Sequence, residues 1–179
     1  MSSETAPEKE AMNTMLKPRI EKVVVNMSVG KSGEPLEKAS RVLEQLTGQK
    51  PCLRKAKQTI RDFGVRKGES IACIVTLRKE KATEFLKRTF PAIDNRLRKE
   101  SFDQLGNFSF GIKEHIDIPG TKYIPELGIQ GMDVSVGVSR LGQRVKLRHR
   151  IQSRVGVKHK LTPEEAVAFV TEEFGIEVT

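Results

Sequence analysis

The sequence predicts an α+β fold: a mostly antiparallel β-sheet with helices packed on one face and a polar face left open. Three observations carry this. Residues 22–29, 69–78 and 132–138 alternate in side-chain character, the period-two signature of half-buried strands. Residues 34–47 and 80–90 carry apolar stripes at helical spacing, and Thr162-Pro163-Glu164-Glu165 announces a third helix. The order is strand, helix, hairpin, helix, several strands, helix. That order lacks the regular βαβ alternation of a parallel sheet.

In the first strand, 22–29, Val23, Val25, Met27 and Val29 share one face, and Lys22, Val24, Asn26 and Ser28 the other. Gly30-Lys31-Ser32-Gly33 breaks it. The helix over 34–47 has Pro35 in its first turn and a stripe of Leu36, Ala39, Val42, Leu43 and Leu46. Gly48 supplies a left-handed stop. Residues 51–56 are short and extended. In 69–78, Ile71, Cys73, Val75 and Leu77 alternate with Ala72, Ile74, Thr76 and Arg78. Residues 57–68 between them are basic and contain Gly64 and Gly68, so the pair reads as a hairpin with a long basic tip. The second helix, 80–90, turns Ala82, Phe85 and Leu86 inward. Pro91 interrupts it, and a shorter helical turn is expected to reach residue 97. Residues 107–118 read as one strand on the alternation of Phe108, Phe110 and Ile112, ending at the Pro119-Gly120 turn. After the strand at 132–138 and a basic stretch, 139–160, the last helix starts with Thr162 as its cap and ends near Phe174-Gly175. Residues 1–14 read as a disordered tail, polar and acid-rich, and 15–179 as one domain in which 139–160 is a basic insertion.

Charge is distributed in blocks. The chain carries +9, with 32 Lys and Arg against 23 Asp and Glu. Residues 48–67 hold seven cations and one acid, and residues 139–160 hold eight cations and no acid. Together these exceed the net charge by five, so the remainder is a mildly acidic body bearing two strongly basic segments. A solvated charged face would mix in acids; concentrated positive charge points to a polyanion, most often nucleic acid. Arg54, Lys55, Lys57, Arg61, Arg66 and Lys67 in the hairpin suit phosphates, the arginines through two parallel hydrogen bonds, and Thr59 adds a hydroxyl. Phe63 at the tip either stacks on a base or sugar or is buried to pin the hairpin. In 139–160, Lys146, Arg148 and Arg150 alternate with Val145, Leu147, His149 and Ile151. That pattern would put the cations on one side of an extended arm, with Arg140, Arg144 and Arg154 nearby. With no Trp and one Tyr, a surface built mainly on aromatic stacking is excluded.

Other chemistries fit poorly. Gly30-Lys31-Ser32 follows a strand and precedes a helix, but a phosphate-wrapping loop needs glycine where Val25 stands. Gly137 to Gln143 has the glycine spacing, yet Gln143-Arg144 replaces the Lys-Ser/Thr pair. Cys52 and Cys73 are 21 positions apart, with no neighbouring His and too few ligands for a metal site. Cys73 reads as a buried thiol. His115 would share a strand face with Asp117, but no nucleophile joins them, so both read as solvated strand residues. His149 and His159 lie within the basic run. No apolar run approaches a membrane span, so no membrane partner is expected. Neither enzyme activity nor a cofactor is expected.

Several motifs, in order, resemble a known family. They are Ile20-Glu21-Lys22-Val23-Val24-Val25-Asn26-Met27-Ser28-Val29-Gly30, Thr47-Gly48-Gln49-Lys50-Pro51, Lys55-Ala56-Lys57-Gln58-Thr59-Ile60, Arg66-Lys67-Gly68 and Val75-Thr76-Leu77-Arg78. Ser101-Phe102-Asp103, Gly106-Asn107-Phe108 and Gly131-Met132-Asp133-Val134 continue the series. Over about residues 15–179 the chain resembles the universal ribosomal large-subunit protein five family, in its archaeal or eukaryotic type. The resemblance implies a structural protein of the cytoplasmic ribosome whose open sheet face binds 5S rRNA in the central protuberance. Positions matching Asn26, Gln49 and Thr76 are prominent there, with Ser28, Lys31, Lys50 and Arg78 beside them. It further implies that the hairpin tip lies near large-subunit rRNA and the peptidyl-site tRNA. Residues 118–128 would face a small-subunit protein across an intersubunit bridge, with other central-protuberance proteins as neighbours. Two features depart from the bacterial pattern: Lys79 stands where those members usually have Gly, and the basic stretch 139–160 is an insertion. The alternatives are an architectural nucleic-acid binder outside the ribosome and an RNA-processing enzyme using His115 with Asp117.

Overall fold

The computed structural model describes residues 13–121 and 123–179; the expected tail lies almost wholly outside them. Five strands form the main sheet in the order β2 (Cys52–Lys55), β3 (Ser70–Leu77), β1 (Arg19–Ser28), β6 (Met132–Ser139) and β5 (Phe108–Ile112). Each neighbouring pair is antiparallel. β1 is central because its alternation is the longest: Val23, Val25 and Met27 are buried, and both of its edges are paired. The apolar sides of β3, β5 and β6 extend the same layer, with Cys73, Val75, Leu77, Phe108, Ile112, Val134 and Val136 all buried.

Helices α1 (Glu34–Thr47), α2 (Glu80–Thr89) and α3 (Pro163–Phe174) contribute to the same apolar core. The α1 stripe is buried at the five expected positions, and Gly48 stops the helix at φ 62°, its N–H donating to the Glu44 carbonyl. In α2, Ala82, Phe85 and Leu86 face inward. Pro91 limits its continuation to a short 3-10 turn, Phe90–Ile93. Around Phe90, the Phe110 and Phe174 rings lie at 5.6 Å and 5.1 Å, tying α2, β5 and the end of α3 together. Thr162 caps α3 reciprocally with Glu165. Full burial of core side chains of this kind is worth about 1.5–3 kcal/mol each.

Several expectations are corrected, among them the helical turn expected to reach residue 97, which ends at Ile93. The strand from 107 to 118 stops at Ile112. There the His115 N–H donates to the Gln130 carbonyl (3.0 Å), the Gln130 N–H donates to His115 Nδ1 (3.2 Å), and His115–Asp117 wind into a 3-10 turn. His115 is therefore buried rather than solvated. The extended arm within 139–160 does not form either. A ribbon needs a ladder partner, and beyond Ser139 no strand of the described sheet pairs with this segment. The segment instead folds through 3-10 turns at Gln143–Lys146 and Val157–His159. Arg140 is buried, not free for phosphate. Its guanidinium meets Glu165 at 2.7 Å and donates to the Lys158 carbonyl at 3.2 Å. Finally, the sequence reading missed a small parallel pair, β4 (Arg96–Leu97) with β7 (Glu177–Val178), too short to show a period.

Candidate nucleic-acid interface

Opposite the helices, the strand registers build a grid of side chains. One row crosses all five strands: Cys52, Ile74, Asn26, Asp133 and Gly111. The next row toward the β1 start holds Thr76, Val24, Ser135 and Ser109. Toward the other end lie Arg54, Ala72 and Ser28. The face mixes polar side chains, Asn26, Ser28, Thr76, Ser109, Asp133 and Ser135, with the apolar ones of Val24, Ala72 and Ile74. Asn26 Nδ2 donates to Ser28 Oγ at 3.3 Å, orienting the amide along the strand. Sequence reasoning placed Asn26, Ser28 and Thr76 here; it missed Asp133, Ser135 and Ser109, which the alternation at 132–138 joined to the β5 register could have shown.

The two basic segments lie at opposite ends of this face. Ser28 of β1 pairs with Ala72 near the start of β3, so the hairpin tip projects from that end. Arg19 pairs with Ser139, so the 139–160 segment leaves from the other. A ten-residue strand separates them by about 30 Å. Lys146 and Leu147 border a cleft with Lys22, Val24 and Ser135, so the second segment walls the open face at its end.

The hairpin tip is an ordered loop. The Ile60 and Val65 backbones bridge, and Gly64 turns the tip at φ 66° with its N–H donating to the Arg61 carbonyl. Val65 and Ala56 are the buried residues that pin it; Phe63 is 75% exposed and so does not pin the hairpin by burial. The Thr59 hydroxyl accepts from the Lys67 N–H at 3.0 Å and so helps shape the loop. At its base the Glu69 carboxylate accepts from the Ser32 hydroxyl and from the Arg66 N–H (3.0 Å), and these bonds hold its pKa below the ordinary carboxylate value. Arg54, Lys55, Lys57, Arg61, Arg66 and Lys67 are all exposed.

In the second segment, Arg144, Lys146, Arg148, Arg150 and Arg154 are exposed. Side chains fold the loop onto its own carbonyls: Arg148 Nε donates to Ile151 O (2.7 Å) and Gln152 Nε2 to Lys146 O (2.6 Å). His159 Nε2 lies 2.7 Å from Leu141 O and, with Arg140, ties the loop's base. Among the described residues, ion pairs join Lys38 to Glu34, Arg96 to Glu177 and Arg140 to Glu165. Every exposed cation of the two basic segments is thus without an acidic partner there, which is the electrostatic condition for meeting phosphates. Gln49, Lys50 and Lys31 lie off the grid on connections; Lys31 and Lys50 are exposed and Gln49 half-buried. Arg78 follows β3 and is exposed at the end that the second segment occupies.

No group of three or more His, Cys, Asp or Glu among the described residues is arranged to hold a metal. Cys73 is buried, which pushes its thiol pKa up, and Cys52 is exposed. No helix among them is long and apolar enough to cross a membrane.

Fold and site together define a sheet protein with an open polar face flanked by unpaired basic loops, a nucleic-acid-binding type of architecture. Residues 13–66 match the family described as ribosomal protein L5, and residues 70–169 match the C-terminal region described for the same family. The chain is similar to the large ribosomal subunit protein uL5 of Aeropyrum pernix, 53% identical over 90% of this chain and 85% of the relative. The uL5 proteins of Pyrobaculum aerophilum (54%, over 89% of each chain) and Cenarchaeum symbiosum (51%, over 92% and 97%) are comparably similar. The chain belongs to the ribosomal protein L5 family.

Proposed function

We propose that this chain is a structural constituent of the large ribosomal subunit that binds 5S rRNA through its open sheet face. The observation that carries the reading is the arrangement of that face, with its polar side chains, between two sets of unpaired cations at opposite ends. Relatives about half identical over most of the chain are large-subunit ribosomal proteins by name. Asn26, Ser28 and Thr76 contribute hydrogen-bond complementarity, with Gln49, Lys50, Lys31 and Arg78 at the margins. The hairpin cations nearest the sheet add phosphate contacts to 5S rRNA, and the tip, with Thr59 and Phe63, lies near large-subunit rRNA and the peptidyl-site tRNA. The exposed cations of 139–160 contact rRNA in their own right. Residues 118–128 meet a small-subunit protein across an intersubunit bridge, and other proteins of the central protuberance adjoin. The function is binding without catalysis, as for the ribosomal protein L5 family to which the chain belongs; His115 Nδ1 accepts from the Gln130 N–H.

The division of labour is testable by salt dependence. Each neutralised phosphate contributes about 0.7–0.9 to the slope of log affinity against log salt. Asn26→Ala and Thr76→Ala are expected to weaken 5S rRNA binding with the slope unchanged. Lys55→Ala and Lys57→Ala are expected to lower both. Equal slopes for all four variants would defeat the assignment.

A further inference from the structure

We infer that Asp133 is a specificity-determining residue of the open face, its carboxylate accepting hydrogen bonds from RNA donors: base N–H groups or ribose 2′-hydroxyls. The inference rests on the reading of that face as the 5S rRNA surface. Asp133 is exposed between buried Met132 and Val134, so its side chain stands on the open side. In the row that crosses all five strands it lies directly opposite Asn26 on one side and Gly111 on the other. Among the described residues no ion pair or hydrogen bond engages its carboxylate. A Cβ on Gly111 would sit 3.7 Å from Asp133 Oδ1, so the carboxylate leans over a position that has no side chain. Asn26 spends one amide N–H on Ser28 and keeps a second N–H and its oxygen. Directly opposed residues hold their Cβ atoms about 4.5–5.5 Å apart, so Asn26 and Asp133 stand side by side on the open face.

A carboxylate only accepts. On a surface that closes over RNA it is repelled by phosphates, and an unpartnered buried charge is costly. It is compatible with close contact where it meets donors, and RNA has two kinds: N–H groups on base edges and the 2′-hydroxyl. The sign of the effect is therefore decisive. If Asp133 is incidental, removing a negative charge from a polyanion-binding face tightens binding. If it accepts from RNA, removing it weakens binding.

The experiment measures 5S rRNA affinity of the full chain over a salt series for wild type, Asp133→Asn and Asp133→Ala, with Glu84→Gln on the helix side as control. Thermal unfolding of each variant checks that the fold is intact. Both Asp133 variants are expected to bind about tenfold more weakly, with the salt slope unchanged. Glu84→Gln is expected to bind as wild type or slightly tighter. Asp133 variants that bind as tightly as wild type, or tighter, overturn the inference. If Asn26→Ala still weakens binding in that case, the face remains the RNA surface and only Asp133 is discarded; if it does not, the reading of the face falls as well. The donor is identified with 5S rRNAs carrying single 2′-deoxy or inosine-for-guanine substitutions at nucleotides that wild-type protein protects from chemical probing. A substitution that weakens wild type but not Asp133→Ala names the partner as ribose or base. Weakened binding by Asp133→Ala with no coupling to any RNA substitution would mean that the carboxylate acts through the protein, and would also overturn the inference.

Discussion

Lys79 holds the turn between β3 and α2 at φ 55° and ψ −135°, a conformation open to glycine and strained for a residue with a Cβ. The strain falls at the position where the family resemblance puts Gly in bacterial members. Lys79→Gly is expected to raise stability by about 1 kcal/mol, read by chemical denaturation. An unchanged or lower midpoint would show that the Lys79 side chain makes a compensating contact. Gly106 is the converse case. At φ 75° it lies where a Cβ would meet Ala166 Cβ at 2.8 Å and Leu161 Cδ2 at 3.0 Å, so α3 can pack only on a bare backbone. Asp103 supports the same turn. Burial opposes its charge, but the bonds from Asn107 and the Leu105 N–H prevail and leave its pKa lowered. Asn107 Oδ1 in turn accepts from the Val138 N–H (3.2 Å). Gly106→Ala is expected to cost about 1–3 kcal/mol in the same measurement. The sequence marked Gly106 as a motif residue and Lys79 as a departure from the bacterial pattern; it could not show why Gly106 is needed, since the reason is a helix 60 residues downstream.

The hairpin and the 139–160 loop look alike in composition and differ in what holds them. Glycines, a β-bridge and two buried apolar residues shape the hairpin, and these were legible as a hairpin pattern. Phe63→Ala is expected to leave thermal stability unchanged and to weaken tRNA or large-subunit rRNA contact by about 1–3 kcal/mol, the range for one base–aromatic stack. Glu69 adds a pH dependence. Its folded pKa lies below its unfolded value, so its contribution is present above the ordinary carboxylate range and lost as pH falls through the folded pKa. Between about pH 6 and pH 3, wild type is expected to lose more stability than Glu69→Gln. Equal losses would remove Glu69 from the loop's support. The second loop was misread because alternation alone suggested a strand; alternation makes a strand only where an edge is free to receive it. Its anchor, Arg140, was hidden among eight cations of one run, and only its burial and the Glu165 contact distinguish it. Arg140→Ala is expected to lower stability by about 1–3 kcal/mol, and Arg148→Ala to leave stability intact while reducing the salt slope of RNA binding.

At the scale of the whole molecule, the fold is an arrangement for exposing one side of a sheet. All three helices of the described residues serve one apolar layer, so the polar sides of the strands stay uncovered. Period-two alternation made that face legible strand by strand. The rows across it were not legible, because register depends on which strands are neighbours and where each pairing begins. The same registers put the two basic segments about 30 Å apart at opposite ends of the open face. Charge alone would bind any structured RNA. Under the proposed function, selection of one RNA falls to the grid between the two basic segments. The most direct test of that claim is binding of the purified protein to 5S rRNA and to a tRNA of similar length over a salt series. The account predicts a strong preference for 5S rRNA that survives physiological salt. Equal affinity for both, falling steeply together as salt rises, would contradict it.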